Sequence, residues 1–275
     1  MKKFLILFFC FINFSAFSND KTGSSILEEG KLLFRSEKAS LYATDFFLEN
    51  FKDKRDSIGG YLSYANNDKV ISIFLNRFDS TKILVRLTFD SIPKQLPISI
   101  DFNNKIPTAL ELDLIKIRRD ALSRVNKNPD GFFKFYKYTS MNPIPIINEN
   151  GNRVFILTAP QNNGNVLLGN DYLLTYDSNK DFVKKEKLHN SLIPIPFKLK
   201  DKSALKTMHS HILSDYITST DICTLLLYKD FVEWKSHIVI SANFVSIFNL
   251  DSETLEIMSI EEYEKKSQHL TKGIK

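Results

Sequence analysis

Two histidines one residue apart, His209 and His211, are followed in short order by Ser219 and Asp221. Imidazole nitrogens and carboxylate oxygens are the donors that suit borderline divalent ions such as zinc. If Met208 to His211 closes a β-strand, period-two alternation turns both rings to one face. Their Cα atoms then stand about 6.5 Å apart. Two rings at that spacing can lean onto one ion with Zn–N bonds of about 2.0–2.1 Å. The apolar run Ile222-Cys223-Thr224-Leu225-Leu226-Leu227-Tyr228 reads as a helix with Asp221 at its start, and Ile212 to Thr218 reads as the loop that brings that start back beside the strand end. Two His and one Asp, with a water in the fourth place, make an open, catalytic type of zinc site. The same residues support a plainer reading. Thr218-Ser219-Thr220-Asp221 is also a capping-box helix start in which Asp221 bonds back to the Thr218 backbone and complements the helix dipole.

The arrangement resembles the JAB/MPN (JAMM) metallopeptidase family, whose signature is His-x-His, seven residues, Ser, two residues, Asp. Seven residues separate His211 from Ser219 here, but only Thr220 separates Ser219 from Asp221, and Ile212 stands where family members often carry Pro. The match spans about 13 of the 275 residues. The resemblance implies zinc held by His209, His211 and Asp221, an oxyanion helped by Ser219, and a cytidine-deaminase-like architecture for residues 106–275. It implies a peptide or protein substrate, hydrolysed at a peptide or isopeptide bond, and a Glu general base on a strand that follows a helix. At the corresponding place the chain offers Asp130, in a Pro129-Asp130-Gly131 segment whose composition is that of a turn. A relative that keeps the fold without a base, and binds rather than cleaves, is the alternative.

The positioning elements follow from periodicity. Ile26 to Phe34 and Leu41 to Phe51 have helical spacing, and Tyr61 to Tyr64, Val70 to Leu75 and Ile83 to Phe89 read as an antiparallel meander. Residues 19–105 are thus expected to form a smaller helix-plus-meander domain. Pro107-Thr108 opens a strong amphipathic helix, with Glu111, Lys116 and Arg119 on its exposed side. Strands are predicted at Ile144 to Ile147, Arg153 to Thr158, Val166 to Leu168 and Tyr172 to Tyr176, with a bulge at Gly169-Asn170-Asp171. Ser236 to Ser241, Val245 to Leu250 and Glu256 to Ser259 complete the set, before a polar helix from Ile260 to Gln268. The class is α+β, a mainly antiparallel mixed sheet flanked by helices. His189 and His237 read as surface histidines, His189 with a second option as a metal ligand or substrate contact. Trp234 reads as packing.

Lys2-Lys3, an apolar run from Phe4 to Phe14 and Ser15-Ala16-Phe17-Ser18 have the order of a secretory signal, which assigns residues 1–18 to export into a periplasmic or extracellular space. The run is shorter than the roughly 20 residues a membrane span needs, and no later segment is apolar enough. Only Cys223 would survive cleavage, so no internal disulfide is available, and its apolar helix makes it a buried small hydrophobe. A formal charge of +5, lower still without Lys2 and Lys3 and spread along the chain, is no nucleic-acid footprint. No Gly-rich nucleotide loop occurs.

Overall fold

The computed structural model describes residues 14–199 and 205–272. Residues 1–13 of the expected signal segment lie outside the described residues. The chain is α+β, with antiparallel sheets flanked by helices.

One helix, α1 (Phe14–Asn50), replaces the two expected in this region. The intervening Ser36-Glu37-Lys38-Ala39-Ser40 contains neither Pro nor Gly, so nothing breaks the hydrogen-bond ladder. Its small side chains bury instead: Ser40 Oγ lies 2.8 Å from Ser63 Oγ, which lies 2.6 Å from Ser72 Oγ. The second half of α1 packs Ala39, Ala43 and Phe47 against a four-stranded sheet. That sheet is the expected meander β1 (Ile58–Asn66), β2 (Lys69–Asn76) and β3 (Ile83–Asp90), extended by β4 (Ser99–Asp101). Strict alternation along β3 buries Ile83, Val85, Leu87 and Phe89 on one face.

Helix α2 (Ala109–Lys127) starts at a capping box, Thr108 with Glu111. Glu111 is not on the solvent side as expected but fully buried. It accepts from Arg86 Nε at 2.8 Å and Arg86 Nη2 at 2.7 Å, and from Tyr64 Oη at 3.0 Å. The cap needs a carboxylate there, and Arg86 reaching across from β3 supplies its counter-charge.

The remaining strands form three sheets. β5 (Thr139–Asn148), β6 (Gly151–Pro160), β8 (Tyr172–Tyr176) and β9 (Phe182–Lys187) make one; β7 (Asn165–Gly169) and β10 (Leu192–Pro196) pair separately. Gly169-Asn170-Asp171 is therefore not a bulge in a continuous strand but the point where the chain leaves one sheet for another. The last sheet runs β11 (Lys206–Ser210), β12 (Ser236–Ile240), β13 (Phe244–Asn249) and β14 (Thr254–Ser259), with β11 parallel to β12 and the other pairs antiparallel. Helix α3 (Ser219–Tyr228) crosses between β11 and β12, and α4 (Ile260–Lys272) follows β14.

The central core surrounds α3: Leu33 of α1, Phe155 of β6, Leu168 of β7, Ile222, Leu225 and Leu226 of α3, and Phe248 of β13 share one apolar cluster. Gly30 makes the α1–α3 approach possible, since a Cβ on it would sit 2.5 Å from Ile222 Cβ. Cys223 is buried and free, as expected. Among the described residues, no helix is long and apolar enough to cross a membrane.

The Arg86 guanidinium and the Thr108 backbone outweigh the effect of burial and hold the Glu111 carboxyl below its usual range. A depressed carboxyl stabilises the fold above its unfolded-state pKa and loses that contribution as pH falls through the folded value. Glu111→Gln, which strands Arg86, is expected to cost about 3 kcal/mol or more at neutral pH. Urea unfolding should show the gap from wild type narrowing once pH drops below about 4.5, the usual Glu range.

Candidate metal centre

Strand β11 buries Thr207 and His209 and exposes Lys206, Met208 and Ser210. The ladder continues one step beyond it, because His211 N–H donates to Ile240 O at 2.8 Å. His209 and His211 consequently share a face, with ring centroids 4.7 Å apart, as the alternation predicted. The loop after His211 is tied to the β12–β13 hairpin: Ser241 Oγ of the turn donates to Asp215 O, and Ile217 N donates to Ser246 Oγ of β13. Those ties set the first turn of α3 against the end of β11.

Asp221 then does two things that the sequence offered as alternatives. Its Oδ2 accepts from Thr218 N at 3.0 Å and Thr218 Oγ1 at 2.8 Å, completing the capping box. The same Oδ2 lies 3.3 Å from His211 Nε2, and Oδ1 lies 3.1 Å from His189 Nε2. His189 is not a surface residue. It is buried, as are His209, His211 and Asp221, and one donor atom from each of the four lies within 4.8 Å of the others. The group could hold a metal ion.

His189 arrives from the loop between β9 and β10, and a tight clamp sets its position. Asn170 N donates to Ser191 O at 3.1 Å, and Leu188 N donates to Asp171 O at 2.9 Å. Gly169 has φ +88°, and a Cβ there would lie 2.3 Å from Ser191 O, so only glycine lets the two segments meet. The clamp also brings in Asp171, whose Oδ2 lies 3.6 Å from His189 Nδ1 and whose Oδ1 accepts from Thr158 N at 2.9 Å.

The outward ring nitrogens of His211 and His209 are hydrogen-bonded, whereas His189 Nδ1, 3.6 Å from Asp171 Oδ2, is not. His211 Nδ1 lies 2.8 Å from Tyr216 O. A carbonyl only accepts, so Nδ1 carries a proton, and Nε2 is the nitrogen that faces the centre. His209 Nδ1 lies 2.7 Å from His237 Nε2, and His237 Nδ1 lies 2.7 Å from Thr207 Oγ1. His237, expected on the surface, is fully buried. The inward atoms lack such partners: His209 Nε2, His211 Nε2 and Asp221 Oδ1 are buried without a hydrogen bond. Orphaned buried acceptors of this kind point to an ion or a proton between them.

Charge follows burial and neighbours. Burial opposes the charged form of Asp221, but the imidazoles of His189 and His211 hold its carboxyl well below the usual carboxylate range. Burial likewise works against a charged His189, yet Asp221 and Asp171 raise it to about 9. Burial takes His209 down to about 4 and His237 down to about 3, leaving both neutral. Burial pushes the Asp171 carboxyl up to about 7.

Two of the expected catalytic residues stand apart from the cluster. Asp130 lies in an exposed turn, where Lys185 Nζ binds its Oδ2 at 2.6 Å and lowers its carboxyl. Its expected role as a base is thereby corrected, because the Pro-Asp-Gly turn faces solvent over β9. Ser219 is at the start of α3, but its hydroxyl donates to Glu29 Oε2 of α1 at 2.9 Å. Glu29 also pairs with Arg153.

A cleft of about 40 Å³, lined by His189, Ser191, Ile193, His211, Ile212 and Leu213, leads from the surface to the cluster. No protein-family model matches the chain, and no curated protein matches it.

Gly169→Ala should destabilise the fold by roughly 2 kcal/mol, combining a left-handed alanine with a backbone clash. It should also weaken metal binding, because Ser191 must move and His189 moves with it. Urea unfolding and a metal titration of the same variant check both effects.

Proposed function

We propose that the protein is an exported zinc-dependent hydrolase of peptide or isopeptide bonds, related in design to the JAMM peptidases, with His209, His211 and Asp221 as the ligands. The observation that carries the metal is the facing of two acceptors. His211 Nε2, buried without a hydrogen bond, stands 3.3 Å from the Asp221 carboxylate. Such a pair repels unless a cation or a proton lies between. Three imidazoles and one carboxylate, all buried, suit zinc in particular among common divalent ions.

When bound, zinc supplies Lewis acidity to a carbonyl and makes a water more acidic. The protein supplies the rest. His209, His211 and Asp221 fix geometry through their second contacts to His237, Tyr216 O and the Thr218 cap. His189 takes the proton-carrying role that the resemblance gives to a Glu. It bonds Asp221 on one side and has Asp171 behind it, a pairing that orients the ring and favours its protonated form. In that form it would donate a proton to the leaving nitrogen, and the neutral ring would then recover one from the next water. Ser219, committed to Glu29, serves first to dock α1 on α3. Export rests on the order of charged, apolar and small residues in positions 1–18.

A second reading has support in the same cluster. With His189 as a fourth ligand, the centre has four protein donors, the closed pattern of structural zinc sites, and the protein becomes a non-catalytic binding module.

The purified protein should carry one zinc per chain, and His209→Ala and Asp221→Ala should lose it. His189→Ala distinguishes the two readings. In the hydrolase it keeps zinc and loses about 10²–10⁴-fold in cleavage of a peptide library. In the closed site it loses zinc together with the other two variants. Wild-type protein that binds no zinc overturns both.

A further inference from the structure

A line of buried groups runs outward from the cluster along adjacent strands: His209 Nδ1 to His237 Nε2, and His237 Nδ1 to Thr207 Oγ1, each at 2.7 Å. Thr207 and His209 lie on the inward face of β11, and the parallel register sets Thr207 opposite His237 of β12. Trp234 stacks near the His237 ring, with centroids 5.9 Å apart, and His237 is fully buried. Nothing in the core requires a histidine at that place; an apolar side chain would fill it without two polar nitrogens to satisfy.

The line can be wired in two directions. In one, Thr207 donates to His237 Nδ1, His237 Nε2 donates to His209 Nδ1, and the His209 Nε2 proton points at the centre. In the other, His209 Nδ1 donates to His237 Nε2, His237 Nδ1 donates to Thr207 Oγ1, and His209 Nε2 offers a lone pair. Only the second allows His209 to be a ligand. The Nε2 atom of His209 is buried without a hydrogen-bond partner, so the proton of the first wiring would have no acceptor there. The second wiring wastes no donor at the centre.

We propose that His237 is a positioning residue for the metal centre: it accepts the Nδ1 proton of His209, is itself held in the matching tautomer by Thr207, and thereby fixes His209 as an Nε2 ligand. The assignment rests on the zinc reading above. His237 does not touch the ion. It orients a ligand and raises that ligand's basicity, as carboxylates and carbonyls do behind other metal-bound histidines, where loss of the outer partner costs about 10–100-fold in affinity. Here the outer partner is a second imidazole. Unlike a carboxylate, it must have the right tautomer to accept, which is why Thr207 belongs to the device.

Zinc affinity, measured by competition with a chromophoric chelator, tests the relay in full-length wild type, His237→Gln and His237→Leu. Glutamine keeps an acceptor oxygen near the position of Nε2; leucine fills the space with none. His237→Leu should bind zinc about 10–100-fold more weakly and His237→Gln within about 3-fold of wild type. A residue that acted only by packing would give the reverse order, because leucine suits the apolar surroundings. ¹⁵N spectra of the zinc-loaded wild type should show Nδ1 protonated in both His209 and His237. Wild-type affinity in His237→Leu, equal losses in both variants, or an Nε2 proton on His237 would overturn the proposal. If circular dichroism shows that His237→Leu does not fold, Thr207→Val decides. A weaker zinc complex, by about 3-fold or more, supports the relay, and unchanged affinity overturns it. Absence of zinc from the wild type defeats the zinc reading and this inference together; zinc binding indifferent to residue 237 defeats this inference alone.

Discussion

The Asp221 carboxylate is fully buried, and the region around it is arranged to keep it charged. An isolated carboxylate in such a place would neutralise, because desolvation of a charge costs several kcal/mol or more unless partners replace the water. Asp221 has those partners on two sides. The backbone and hydroxyl of Thr218 bind one oxygen at the opening of α3, and the imidazoles of His189 and His211 crowd the inner edge. The helix cap and the buried histidine cluster therefore share one carboxylate. The cap fixes the rotamer, and the rotamer aims the free oxygen.

The surrounding architecture serves to bring three separate pieces of chain to that carboxylate. β11 delivers two imidazoles on one face. The loop from Ile212 to Thr218, pinned by Ser241 and Ser246, folds the α3 start beside them. The clamp between Gly169 and Ser191 carries the third imidazole in on the loop between β9 and β10. Helix α1 braces the result, lying so close to α3 at Gly30 that a methyl group would not fit. Rigid elements with short, bonded connections hold donor atoms more tightly than free loops would.

Local chemistry was legible in the sequence, and long-range chemistry was not. His209 and His211 share a face because strand alternation is a local rule, and the capping box at Thr218 and Asp221 is a four-residue pattern. The meander, the α2 start and the turn at Asp130 were readable on the same grounds. The burial of His189 and His237 was not, because each depends on a partner from a distant strand: Asp171 in one case, His209 and Thr207 in the other. Glu111 escaped for a similar reason, since a charge on a helix reads as exposed until Arg86 is known to lie across from it. The continuous α1 was missed because a polar stretch between two apolar ones resembles a boundary; here small serines carry the helix through a packed crossing.

The cleft beside His189 and His211 has one more consequence. At about 40 Å³ it holds little more than a water molecule or two, and Ile212 and Leu213 stand at its rim. An ion reaching the cluster through it would pass Ile212 and Leu213, so the 212–217 segment would govern how fast it comes and goes.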